Sequence, residues 1–105
     1  MARNWIVVSG PEIFATTRDL GFTRHGFKST RRVMASKIQP GDLLAFYVTG
    51  RKQFAAVCRV TSPVTEERTR IWQSDRKPDE IYPYRCSIEP IALPAEAAWL
   101  DAEPF

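Results

Sequence analysis

The stretch Pro40–Ser62, PGDLLAFYVTGRKQFAAVCRVTS, constrains what this chain can fold into more than any other. Pro40-Gly41-Asp42 is turn punctuation, because proline presets φ and glycine tolerates positive φ. Leu43 to Thr49 is rich in apolar and aromatic residues, and Thr49-Gly50-Arg51-Lys52 reads as a short polar hairpin connection. Gln53 to Thr61 then alternates, with Phe54, Ala56, Cys58 and Val60 expected on one face and Arg59 on the other. A long hairpin is therefore expected at the centre of the fold, with everything else packed around it.

The remaining elements are shorter. Trp5 to Val8 is a β-branched and aromatic run, expected as a first strand buried on both faces. Ser9, Pro11 and Glu12 have the spacing of a helix start, Ile13, Phe14, Thr17 and Leu20 recur at helical spacing, and Gly21 suits a stop. Phe22 to Ser29 reads as irregular. From about Thr30 a second short helix is expected, turning Val33, Met34 and Ile38 inward and its basic residues outward. Ile81 to Ile88 alternates again, with Tyr82, Tyr84, Cys86 and Ile88 on one face and Arg85, Ser87 and Glu89 on the other, and Pro94 to Leu100 suggests a last helical turn around Trp99. Strands mixed with short helices imply an α+β domain with a small curved or barrel-like sheet.

At 105 residues the chain is long enough for one domain over 1–105. Its acidic end after the last strand lacks an obvious closing element, as in a domain cut from a longer protein. No apolar run approaches the roughly 18 residues of a membrane span, and the N-terminus has no signal-like segment, so a cytoplasmic location is expected. Cys58 and Cys86 both sit in strand-like alternation and read as buried free thiols.

Catalysis finds little support. His25 is the single histidine, no CxxC spacing is present, and neither a nucleophile elbow nor a Gly-rich phosphate loop occurs. No metal, no cofactor and no enzymatic activity are expected. Binding is better supported. Arg18, Arg24, Lys28, Arg31, Arg32 and Lys37 crowd one window in which Asp19 is the sole acid. Such a window is either a solvated face or a contact for an anion such as nucleic acid. Phe22, His25 and Phe27 interleave with those cations, and Trp72 lies in the polar run TRIWQSD, as either a lid over the core or a stacking platform.

The order NWIVVS, HGF with a basic helix, PGD, LLAFYV, FAAVCRV, RIW and YPYRCSIEP resembles the EVE domain, of the PUA-like group and related to the YTH domain. The resemblance spans nearly the whole chain. It implies a PUA-like curved mixed sheet closing into a small barrel with short helices packed outside. It also implies a non-enzymatic pocket for one flipped or single-stranded nucleobase, often modified, carried on DNA or RNA. The residues matching that pocket are Ser9, Phe22, His25, Phe27, Tyr47 and Trp72. His25 stands where these families commonly place a cage tryptophan, and a further cage tryptophan would fall near Lys77, so both positions depart from the pattern. Arg24, Lys28, Arg31 and Arg32, with Arg51 and Lys52 at the hairpin tip, would hold phosphates. EVE homologues commonly carry a further C-terminal helical segment, and the resemblance implies a module fused to or bound by an effector such as a nuclease. The competing reading is a sensor of a flat nucleotide-like small molecule, with the basic residues merely solvated.

Overall fold

A computed structural model describes residues 2–50, 52–73, 76–94 and 100–101. Seven strands and two helices run in the order β1 (Asn4–Ser9), α1 (Pro11–Asp19), β2 (Arg24–Phe27), a 3-10 turn (Ser29–Arg31), α2 (Arg32–Ser36), β3 (Leu43–Val48), β4 (Gln53–Val60), β5 (Thr65–Glu66), β6 (Tyr84–Ala92) and β7 (Leu100–Asp101). The strands form one mixed sheet in the order β1-β3-β4-β6-β2, with β5 beside β6 and β7 beside β4. Only the β1–β3 pair is parallel among those described. The sheet curls into a half-barrel with the two short helices against it, the expected PUA-like architecture.

The hairpin is central, as its pattern predicts, but its alternation is interrupted. Phe46 pairs with Ala56 and Tyr47 with Phe54, so Ala55 is an extra residue in β4. A bulge of this kind switches the facing of what lies before it. Ala56, Cys58 and Val60 stay inside, while Phe54 moves to the face of Tyr47 and meets its ring edge-on, centroids 5.6 Å apart. Leu44, Phe46 and Val48 fill the interior from β3.

Asp42 ties this hairpin to the first strand. Its Oδ1 accepts from the Arg3 backbone N–H (2.9 Å), and its Oδ2 accepts from Trp5 Nε1 (2.9 Å) and the Gln39 N–H (3.0 Å). The Asp42 carbonyl also accepts from the Val60 N–H, at 2.8 Å. Asp42 thus ties β1 and the Pro40-Gly41 turn together through its buried carboxylate, and reaches β4 through its backbone carbonyl. Burial opposes its ionisation, but the bonds from Trp5, Arg3 and Gln39 and the Arg3 charge outweigh that, and its pKa lies below the usual value.

Several local expectations are corrected. β1 is an edge strand, paired with β3 alone, and Ile6 and Val8 are 66% and 63% exposed rather than buried. Ser9 ends β1 and does not cap α1, whose first turn instead uses Gly10 without a side-chain cap and Pro11. Residues 24–27 form β2, because they pair antiparallel with 84–87 of β6. In α2, Ala35 and the following Ile38 turn inward and Met34 is half-buried, whereas Val33 is 69% exposed. Arg85, expected on the polar face of β6, is buried. The two thiols are buried and free, and burial pushes both up to about 12. The turn expected around Trp99 falls on 95–99, outside the described residues, while Leu100 lies in β7.

Asp42→Ala removes the acceptor for three donors, each such bond to a charged group being worth roughly 1.5–3 kcal/mol. The expected loss is at least about 3 kcal/mol of unfolding free energy in urea titration at neutral pH. Asp42 is held ionised below its ordinary pKa, so its contribution is present above that value and fades as pH falls through the folded one.

Candidate nucleic-acid interface

Trp72 lies in an irregular segment, yet it is 0% exposed. Three neighbours hold it there. Its Nε1 donates to Thr17 Oγ1 on α1 at 2.9 Å, and the Arg85 guanidinium lies over its ring, 5.2 Å from the centroid. Gly26 of β2 passes so close that a Cβ there would meet Trp72 Cε3 and the Tyr82 carbonyl oxygen, each at 2.8 Å. Such an approach is open only to a residue without a side chain.

Arg85 is itself saturated. Its guanidinium donates to the carbonyls of Tyr82, Thr69 and Ile81, to Thr69 Oγ1, and to Glu67 Oε2 at 3.3 Å. These bonds meet the requirement that a buried charge be paired and hydrogen-bonded.

His25, 1% exposed, completes the cluster. Its Nδ1 lies 2.8 Å from Thr17 Oγ1. An indole N–H can only donate, so the Thr17 oxygen accepts from Trp72 and its single hydrogen is available for Nδ1. The imidazole packs edge-on against Phe46 (4.9 Å), Phe27 (5.1 Å) and Trp72 (6.1 Å). Burial alone lowers its pKa to about 3, so it is neutral at ordinary pH.

These distances correct the expected cage. His25 and Trp72 do converge, but as a packed edge-to-face pair at 72°, within the contact range of two aromatic rings and with no room for a third between them. Tyr47 faces the opposite side of β3, and Phe46 takes the place beside His25. Phe22, at φ 55°, is buried against Phe14 with centroids 5.7 Å apart. Phe27 is buried beside His25, and the buried Ser9 offers its carbonyl to the Thr49 N–H at 2.9 Å. Sequence reasoning missed Thr17, Phe46 and Arg85. The hydroxyl of Thr17 on an apolar helix stripe was the one available signal, since a buried hydroxyl needs partners.

The cations divide into two sets. Arg24 is paired with Glu67 at 2.5 Å, Arg59 with Glu89 at 2.8 Å and Arg68 with Glu66 at 2.7 Å. Among the described residues, the side chains of Arg3, Lys28, Arg31, Arg32, Lys37, Arg76 and Lys77 make no ion pair or hydrogen bond, and four of the seven lie between 28 and 37, along the 3-10 turn and α2. Lys52 is exposed at the hairpin tip, and Arg51 lies outside the described residues. Of the expected phosphate contacts, Lys28, Arg31 and Arg32 are thus grouped and unpaired, whereas Arg24 is engaged.

The family model of the EVE domain matches residues 3–103. The chain belongs to the EVE domain family. In fold, this EVE domain is similar to the Mmi1 YTH domain solved in complex with RNA, with TM-score 0.62 and 12% identity over 88% of this chain and 54% of that one. It is also similar to the YTH domain of Zygosaccharomyces rouxii MRB1 in complex with N6-methyladenosine RNA (TM-score 0.57, 16% identity, 84% of this chain and 58% of that one). The NMR structure of Rpa0253 from Rhodopseudomonas palustris is a third neighbour (TM-score 0.60, 14% identity, 96% and 71%). The chain spans just over half the length of the YTH-domain chains that it matches. No match is found among curated proteins.

Two outcomes test the buried cluster. Gly26→Ala forces the Trp72 ring and the Tyr82 carbonyl apart and is expected to cost at least about 2 kcal/mol, the scale of core overpacking, read by urea unfolding. The His25 pKa is depressed on folding, so the unfolded chain binds the extra proton between about 6.5 and about 3. Stability from this group is therefore full above 6.5 and falls as pH drops. A loss of about 2 kcal/mol is expected between pH 7.5 and 5, and His25→Gln should flatten that part of the profile.

Proposed function

We propose that this EVE domain is a nucleic-acid-binding module that contacts single-stranded RNA through the cationic segment running from Lys28 to Lys37. One observation carries the reading: Lys28, Arg31, Arg32 and Lys37 are gathered on one short segment and make no ion pair among the described residues, whereas Arg24, Arg59 and Arg68 are neutralised by glutamates. A cluster of this kind attracts a polyanion and releases its condensed counterions on contact. Membership of the EVE family, and similarity in fold to YTH domains solved with RNA, support the same reading.

The proposal does not rest on the His25–Trp72 pair. A base entering between those rings would displace the indole from Thr17 and from Arg85, exposing two buried polar groups that now satisfy each other. Recognition of a modified base, if this domain performs it, therefore needs a surface other than that pair. Catalysis plays no part in the proposal: His25, whose imidazole is neutral and sealed, is unsuited to proton exchange with a substrate.

Fluorescence anisotropy with labelled single-stranded RNA at several salt concentrations tests the reading. Affinity should fall with salt at a log–log slope of about 0.7 per phosphate contacted. Lys28→Glu and Arg32→Glu should each weaken binding at least about fivefold and lower the slope, with the urea midpoint unchanged, since neither side chain has a partner to lose. Binding that ignores both variants and the salt would refute it.

A further inference from the structure

The unpaired cations border a hollow that the expected cage residues do not touch. Arg3, just before β1, and Arg31 and Lys37, on either side of α2, line a recess of about 430 Å³ together with Trp5, Val33 and Met34. It adjoins a second recess of about 720 Å³, with Arg3 and Lys37 lining both. Both are open to solvent, shallow enough to hold one face of a flat ring rather than to enclose a ligand.

Three features distinguish this recess from a solvated helix face. The first is its charge. Arg3, Arg31 and Lys37 make no ion pair among the described residues; of the carboxylates close by, Asp42, which feels the Arg3 charge, already accepts from three donors, and Glu80 accepts from Ser29 and from the Tyr82 N–H. The second is a fixed aromatic. Trp5 is half-buried, and its Nε1 bond to the ionised, buried Asp42 holds the indole in one orientation before any ligand arrives. Third, the apolar Val33 is 69% exposed among these cations, where a merely solvated face would carry a polar side chain.

The geometry points to a subsite for one nucleotide of a single-stranded nucleic acid, its base against Trp5, Val33 and Met34 and its phosphates among Arg3, Arg31 and Lys37. An aromatic wall bordered by cations is the arrangement that holds a base by stacking while phosphates are tracked by charge. A neutral apolar ligand would leave Arg31 and Lys37 unanswered, and an inorganic anion would leave the apolar wall uncovered. Trp5 and Ser9 are at opposite ends of β1, about 13 Å apart by strand rise, so this subsite is separate from the expected pocket floor at Ser9.

This inference rests on the nucleic-acid reading above, and its test separates the two. The probe is a fluorescein-labelled single-stranded RNA of about eight nucleotides, within the usual site size of such grooves. Val33→Glu places a carboxylate in the recess at an exposed position, and Val8→Glu makes the same change of net charge at an equally exposed position on β1. Val33→Glu should weaken binding at least tenfold and Val8→Glu less than threefold, both with wild-type urea midpoints. Arg3→Gln and Lys37→Gln should each lower the salt slope by about 0.7. Equal effects of the two glutamates, with Lys28→Glu and Arg32→Glu still weakening binding, would remove the subsite and leave the module. A free mononucleotide binding as tightly as the oligomer would also overturn the subsite, and no RNA binding by the unaltered chain would remove both.

Discussion

Trp72 lies against a strand that has no side chain to keep it away. The indole covers Gly26, is covered in turn by the Arg85 guanidinium, and hands its only donor to Thr17, which turns to His25. Helix α1, strand β2, the segment before β6 and β6 itself meet at this one ring. No single contact among them is strong. Their joint effect is a chain of bonds, from Arg85 over the indole to Thr17 and on to His25 Nδ1, which makes the group costly to open by halves. A neutral imidazole is part of that balance, because a charged one would enter the interior without a counterion.

The consequence for function is a division of labour among the aromatics. Rings that would serve as stacking platforms in the open, namely Phe22, His25, Phe27 and Trp72, are committed to the interior of the half-barrel. Toward solvent the fold presents charge, concentrated on the 3-10 turn and α2, and half-buried aromatics, among them Trp5, whose edge is pinned by Asp42. Asp42 therefore serves two ends. Its hydrogen bonds lock the first strand to the hairpin, and the same carboxylate orients the aromatic wall of the recess. A residue that reads in sequence as turn punctuation is, in the fold, a structural joint.

Much of the architecture was legible because it depends on local chemistry. The Pro40-Gly41-Asp42 turn, the two strands of the hairpin, the apolar stripe of α1 and the two buried thiols each follow from nearby residues. The misreadings share a cause. Phe54 changed faces because one residue, Ala55, has no partner across the ladder, and alternation carries no mark of a bulge. Ile6 and Val8 looked like core, yet which strand lies at an edge is a matter of neighbours. Arg85 looked like surface, and it became interior when five oxygen acceptors from the 67–82 segment closed around it.

Composition and order alone determined that this chain would be a small α+β domain of the EVE type, carrying a dense run of cations between Arg24 and Lys37. Those properties reside in residue types and their spacing, which survive any arrangement in space. Whether Trp72 opens toward a ligand or closes over the core was decided only by the tertiary structure. That outcome turns on contacts among Thr17, Gly26, Trp72 and Arg85, which lie up to 68 positions apart in the chain (85 − 17). Separation of that kind leaves no local pattern to read, because the hydrogen bond and the close approach exist only once the sheet has curled.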